Sequence, residues 1–298
     1  QAQKDKLWNE LKDKLADSTK AYAEALGNPE ISEQDLRNLE AQLQQELVAG
    51  LDQALDATSA KDLAQTFLDQ VEHQVAPELA SKMSDDVLCL QYTTAFYIAR
   101  TGDTGVLEAE APFVTGPELE KEEDELFMVP EDSGFVGSVY EHCCLAIDRS
   151  LTSGVHGLPL MGSGDWNDGM NRVGRGGKGE SVWLGFFLFT ILGDFIALAE
   201  SRADEERVVR YCDYRDRLGE ALNEAGWDGA WYRRAFYDDG TPLGTAEAEE
   251  CRIDAIAQAW SVLSGAAPAE RAGAALDAAE EHLVRESEKL ILLLTPPF

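Results

Sequence analysis

Positive charge is scarce in this chain. Lys and Arg number 25 against 56 Asp and Glu, a formal net charge of −31. Such a balance repels polyanions, which argues against nucleic acid and anionic membrane surfaces as partners of this segment. Cysteine is sparse and odd in count, five in all, with no CxxC spacing. Neither a disulfide framework nor a zinc site is supported, and a reducing compartment is the simplest reading. The four His show no metal-ligand spacing, so no metal or organic cofactor is expected. Long apolar runs are missing too. The longest, Val182 to Leu198, is broken by Gly185, Gly193 and Asp194 and suits a buried helix better than a membrane span. No signal peptide is visible, because Gln1 to Asp5 lead straight into a charged amphipathic pattern. The chain opens without Met and stops at Pro296-Pro297-Phe298, so it is expected to be a piece of a longer protein. Strand patterning is scarce, and no short-period repeat of the solenoid type occurs.

Helical periodicity is abundant. Residues 1–80 read as three helices. The first carries Trp8, Leu11, Leu15, Tyr22 and Leu26. The second carries a stripe from Leu36 to Leu55, and the third carries Leu63, Phe67, Val71 and Val75. Further helices are expected from Ser84 to Arg100, Ser138 to Ser150, Ser181 to Ala203, Glu205 to Ala225, Arg252 to Ser264 and Ala267 to Leu293. Residues 102–135 read as an acidic loop region, with the run Glu118 to Glu125 as a solvated surface segment. Residues 226–250 read as a short hairpin or irregular excursion. Helix pairs joined by long loops suggest an all-α toroid whose loops gather at one end.

Between two of these helices lies a glycine-dense stretch, Gly154 to Gly179. Such density forbids a long regular element and marks backbone that must turn tightly or approach a ligand. Within it stands Gly164-Asp165-Trp166-Asn167-Asp168-Gly169. A sugar site needs these residue types. An indole packs on the apolar face of a pyranose, Asn and Asp bond its hydroxyls, and one carboxyl group kept protonated delivers a proton to the leaving oxygen. An Asx-rich turn with an anchoring Trp is the competing reading, about equally weighted on composition alone. His142, His156, Cys143 and Cys144 read as structural, and Trp183, Phe186, Phe187 and Phe189 as core.

The run from Gly157 to Gly185, GLPLMGSGDWNDGMNRVGRGGKGESVWLG, resembles the inverting glycoside phosphorylases of the cellobiose phosphorylase family, glycoside hydrolase family 94. It is most similar to the branch holding the catalytic domains of cyclic β-1,2-glucan synthases and β-1,2-oligoglucan phosphorylases. Matching blocks flank it in order: Ser84-Asp85-Asp86, Tyr140 to Cys143, Trp227 to Arg234, Gly240 to Gly244 and Glu249 to Trp260. The resemblance covers about residues 81–298, and residues 1–80 form a helical segment whose relation to the family the motifs leave open.

This resemblance implies a partial (α/α)6 barrel with extra N-terminal helices. It implies Asp168 as general acid and Trp166 in the subsite of the transferred sugar. Asp85 and Asp86 match the position that grips that sugar's hydroxyls. Asp165, Asn167, Glu180, Glu250 and Arg252 join the substrate-binding set. Inorganic phosphate would be co-substrate and nucleophile, so one carboxylate suffices, and cations are needed to hold it. Arg172, Arg175 and Lys178 are offered, Arg172 first because it lies nearest the motif. Relatives carry an Arg before the Ser-Asp-Asp motif, where this chain has Lys82 as its only nearby cation, and they draw further phosphate ligands from beyond position 298. The implied partners are a β-glucan oligosaccharide with phosphate or glucose 1-phosphate, and a second copy or a larger synthase as tether. The implied location is cytoplasmic, on an inner-membrane synthase. Two alternatives stay open: an inverting hydrolase with Glu250 or Asp254 as base, and a carbohydrate-binding domain without turnover.

Overall fold

The computed structural model describes residues 83–117 and 130–298. The helices expected over residues 1–80 and the acidic run from Glu118 lie outside the described residues.

Six helices carry the described fold: α1 (Asp86–Thr101), α2 (Val139–Ser150), α3 (Val182–Ser201), α4 (Glu205–Glu224), α5 (Ala255–Leu263) and α6 (Ala269–Leu283). Most begin where a short polar side chain can satisfy free backbone amides. Ser138 and Glu141 form a reciprocal capping box at α2. Ser181 accepts from Leu184 N at 3.0 Å at α3, Asp204 caps α4, and Asp254 accepts from Ile256 N at 2.9 Å at α5. Helix α1 stops at Gly102, whose φ of +69° is the left-handed conformation that suits glycine.

The helices pack as three antiparallel hairpins, α1 on α2, α3 on α4 and α5 on α6. The first helices of the hairpins also touch in the order α1, α3, α5, forming an inner row backed by the other three. Helix α3 is apolar all round, as a central helix must be. Val182 to Leu188, Ile191, Leu192 and Phe195 are all buried. It is 20 residues long and apolar enough to cross a membrane by length and composition, yet here it is clasped by α1, α4 and α5.

About half of the described chain is helical, with little strand. The expectation of an all-α fold nonetheless needs correcting in two places. Strands β1 (Glu110–Thr115) and β2 (Glu131–Ser138) form an antiparallel ribbon with a register shift between Pro112 and Val114. Their alternation is hidden because most of their side chains are exposed. The ribbon is anchored by Phe113, which stacks on His142 with ring centroids 3.8 Å apart. A Cβ on Gly137 would meet that Phe113 ring at 2.7 Å, so the ring needs the bare backbone. Helix α6 also ends ten residues before the expected Leu293. The chain instead turns at Lys289, φ +56°, so that β7 (Val284–Arg285) pairs with β8 (Leu290–Ile291). Strand β9 (Leu294–Thr295) then pairs with β6 (Ile253–Asp254). Residues 226–250 supply the expected short hairpin. There β4 (Ala235–Phe236) lies between β5 (Pro242–Leu243) and β3 (Glu180–Ser181).

The capping box gives a direct test of how α2 is started. Ser138→Ala is expected to cost about 1 kcal/mol of stability in urea denaturation. The Ser138 backbone amide holds the Glu141 carboxyl below its ordinary pKa. A depressed carboxylate stabilises the fold above its unfolded pKa and stops doing so as pH falls through the folded one. Glu141→Gln is therefore expected to be less stable than wild type at neutral pH and to converge with it in acid.

Candidate active site

The site is built where the glycine-dense stretch meets the N-termini of the inner helices. Ser84 donates both its backbone N–H and its hydroxyl to Gly164 O, at 3.0 and 2.9 Å. Met83 bridges Gly162 and Gly164. Two motifs 80 residues apart are thereby clamped together, and the start of α1 with Asp85 and Asp86 is set against the Asp165 loop. Asp85 is buried at the head of α1, and Asp86 is partly buried in its first turn.

Asp165 departs from the expected substrate contact. Its carboxylate is sealed from solvent and accepts a bidentate pair of bonds from the Arg234 guanidinium, Nη1 to Oδ2 at 2.7 Å and Nη2 to Oδ1. It also accepts from Ser181 Oγ at 2.6 Å. Arg234 is itself fully buried, and its Nε lies 3.3 Å from Asp254 Oδ2. Burial holds the Asp254 carboxyl above its ordinary pKa, with the Arg234 charge opposing. Burial pulls the Arg234 pKa down, but Asp165 beside it outweighs this and leaves it raised. Both carboxylates lie beneath the loop, and Asp254, offered from sequence as a hydrolase base, is 1% exposed and faces Arg234.

Above this pair the chain turns outward. Trp166 is 53% exposed. Asn167 accepts from Gly169 N at 3.0 Å through Oδ1, and its carbonyl accepts from Met170 N at 2.9 Å. This Asx turn starts the short 3₁₀ helix Asp168–Met170. Met170 is buried with Met161, Val173, Ala235, Leu243 and Cys251, which seats the turn on an apolar base.

The glycine loop that follows is held from within. Asp238 accepts from Gly176 N at 2.6 Å, Lys178 N at 2.8 Å and Gly179 N at 2.9 Å. Those amides are taken, so the backbone there is not a spare anion cradle. The side chains of Arg172, Arg175 and Lys178 are exposed on it. Two of its glycines are required sterically, since a Cβ on Gly179 would meet Gly174 Cα at 2.4 Å and one on Gly174 would meet Gly162 O at 2.7 Å.

Glu180, expected to bind substrate, faces the 154–158 loop. It is buried and accepts from Leu158 N and His156 N, both at 3.0 Å, with His156 Nδ1 at 2.5 Å. Both of its oxygens are occupied in folding the 154–158 loop, and His156 stacks on Phe236 at 3.9 Å. Glu250 and Arg252 are exposed on a separate segment. It is joined to the site through Cys251, at φ +41° and buried beside Met170, and through Asp254. Among the described residues no group of three His, Cys, Asp or Glu converges as a metal site.

The model of the glycosyl hydrolase 94 superfamily, catalytic domain, matches residues 28–298. The chain belongs to that family. Within family 94 it is similar to the cyclic beta-(1,2)-glucan synthase NdvB of Rhizobium meliloti, 49% identical over 72% of this chain and 8% of that one. It is 35% identical to solabiose phosphorylase of Paenibacillus borealis over 72% of this chain and 26% of the relative. It is 40% identical to 3-O-beta-D-glucopyranosyl-beta-D-glucuronide phosphorylase of the same organism, over 55% and 22%. The chain thus spans about a quarter or less of the length of these relatives.

Arg234 and Asp238 were not singled out from the sequence. Arg234 closes the Trp227 to Arg234 block, which carries the family resemblance without a role for the Arg. Asp238 sits in Asp238-Asp239-Gly240, which reads as a plain turn. The one available signal was the poverty of cations in so acidic a chain, which makes each Arg near the motif worth placing. Asp238→Ala is expected to lower stability by about 2 kcal/mol, because three amides lose a charged acceptor. Amide exchange should accelerate at Gly176, Lys178 and Gly179 while α4 stays protected. Unchanged exchange in the loop would show that Asp238 does not hold it.

Proposed function

We propose that this chain is the acid-donating part of an inverting glycoside phosphorylase acting on β-linked glucan, with β-1,2-glucan as substrate. In this reading Asp168 protonates the glycosidic oxygen as the bond to C1 breaks. Inorganic phosphate attacks C1 from the opposite face and leaves with the sugar as α-glucose 1-phosphate. The reverse direction extends a chain. Phosphate arrives as an anion, so no side chain has to deprotonate a nucleophile, as a hydrolase must do for water. Arg172, with Arg175 and Lys178 nearby, supplies positive charge for it. Trp166 stacks on the transferred glucose, and Asp86, Asp85 and Asn167 bond its hydroxyls.

The observation that carries this reading is the division of labour along the four-residue motif. Asp165 is fully buried and ion-paired below, while Trp166 stands exposed above and Asn167 shapes the turn that opens with Asp168. A surface Asx turn has no need of a buried bidentate Arg beneath it. The linkage follows the synthase relative, whose name specifies beta-(1,2)-glucan. The other relatives, named as phosphorylases, support phosphate as acceptor. We propose that the inner row α1, α3, α5 with its three backing helices belongs to an (α/α)6 barrel. A cytoplasmic site, where phosphate is abundant, completes the proposal.

The test is product analysis on the full-length protein. β-1,2-Glucan with phosphate is expected to give glucose 1-phosphate, and glucan alone to give no free glucose. Asp168→Asn is expected to lower kcat by about 10³-fold or more while leaving the melting temperature unchanged. Glucose release without phosphate, or full activity of Asp168→Asn, would contradict the proposal.

A further inference from the structure

Among the described residues, Arg234 is the only Arg or Lys that is buried. Its contacts are spread over three separate segments. It holds Asp165 bidentately, reaches Ser181 Oγ at 3.3 Å and pairs with Asp254 at 3.3 Å. Ser181 and Asp254 are the N-caps of α3 and α5. One guanidinium therefore ties the loop bearing Trp166 and Asp168 to the starts of two inner helices.

Its own backbone is fixed as firmly. Arg234 N donates to Leu243 O at 2.8 Å, and its carbonyl accepts from Val182 N at 3.1 Å. Gly244, at φ +88°, passes so close that a Cβ there would lie 2.5 Å from Arg234 N. The guanidinium plane is thus aimed from a rigid frame.

Stability alone does not call for this arrangement. Buried ion clusters are often no better for stability than well-packed apolar side chains of the same volume. What a planar fork provides is orientation, because two parallel bonds fix both the position and the rotation of the carboxylate. The carboxylate so fixed lies one residue before Trp166 and three before Asp168.

We propose that Arg234 is a positioning residue for the Asp165 to Asp168 loop, acting through the Asp165 carboxylate. It sets the rate of the chemical step more than it sets glucan affinity. This inference rests on the proposed function for its kinetic part and on the geometry alone for its structural part.

The experiment uses the full-length protein with β-1,2-glucan and phosphate. Arg234→Lys keeps the charge and loses the fork. Asp165→Asn keeps the shape and leaves Arg234 balanced by Asp254. Each is expected to lower kcat about 100-fold, the scale of a loop misplaced by about 1 Å, with a smaller rise in KM for glucan, about tenfold at most, because Trp166 and Asn167 ride on the same loop. The double variant should be no slower than the worse single, because both act through one contact. Amide exchange over residues 163–171 should accelerate in each variant while α4 stays protected. That last readout needs no turnover, so a wild type without phosphorylase activity would sink the functional proposal and leave this one standing or falling on loop protection. If Arg234→Lys does not fold, Asp165→Asn carries the same comparison. A folded variant with unchanged loop exchange, with kcat within about twofold of wild type, or with multiplicative losses in the double variant would overturn the proposal.

Discussion

Two carboxylates and one guanidinium, all removed from water, meet beneath the motif loop. Taking three charges out of solvent is costly unless geometry and hydrogen bonding are nearly complete. Here the cost is offset by a bidentate pair, a hydroxyl donor from Ser181 and the amides at the start of α5. The cluster holds two acids against one base, and burial keeps the Asp254 carboxyl above its ordinary pKa against the pull of Arg234. Loss of Arg234 would strand both carboxylates, so the loop, the β3–β5 sheet and the caps of α3 and α5 depend on that one side chain.

The rest of the site is arranged around this anchor by short-range devices of a single kind. A polar side chain or carbonyl from one segment consumes the free amides of another. Gly164 O takes Ser84, Asp238 takes three amides of the glycine loop, and Glu180 takes those of residues 156 and 158. Acidic residues thus do much of the internal stitching in a chain already rich in them. The cations left exposed near the motif, Arg172, Arg175 and Lys178, then stand out as local positive charge in a negative protein.

Legibility from sequence followed the physics of each element. Helices α1 to α4 were readable within a few residues because Ser, Asp and Gly mark their ends and an apolar stripe fills them. The β1–β2 ribbon was not, because its few inward positions fall on Ala111 and Gly137, which give no alternation. The overshoot of α6 arose because Glu286-Ser287-Glu288-Lys289 suits a helix locally, while pairing of Leu294 and Thr295 with β6 decides the outcome. In the site, residue types pointed to Trp166, Asn167 and Asp168. They did not reveal which acids face inward. Asp165 and Glu180 look like ligands in a string of letters, and only the position of Arg234 and of the 154–158 loop turns them into supports. Asp254, offered from sequence as a possible base, is the other side of the same ion cluster.

The proposed reaction uses a single acid and a direct displacement, and stereochemistry reports on that most directly. Proton NMR of the sugar phosphate formed from β-1,2-glucan and phosphate, recorded in the first minutes of turnover by the full-length protein, reads the configuration at C1. Direct displacement gives α-glucose 1-phosphate as the initial product. The β anomer would mean a two-step reaction through a second carboxylate nucleophile, and would contradict it.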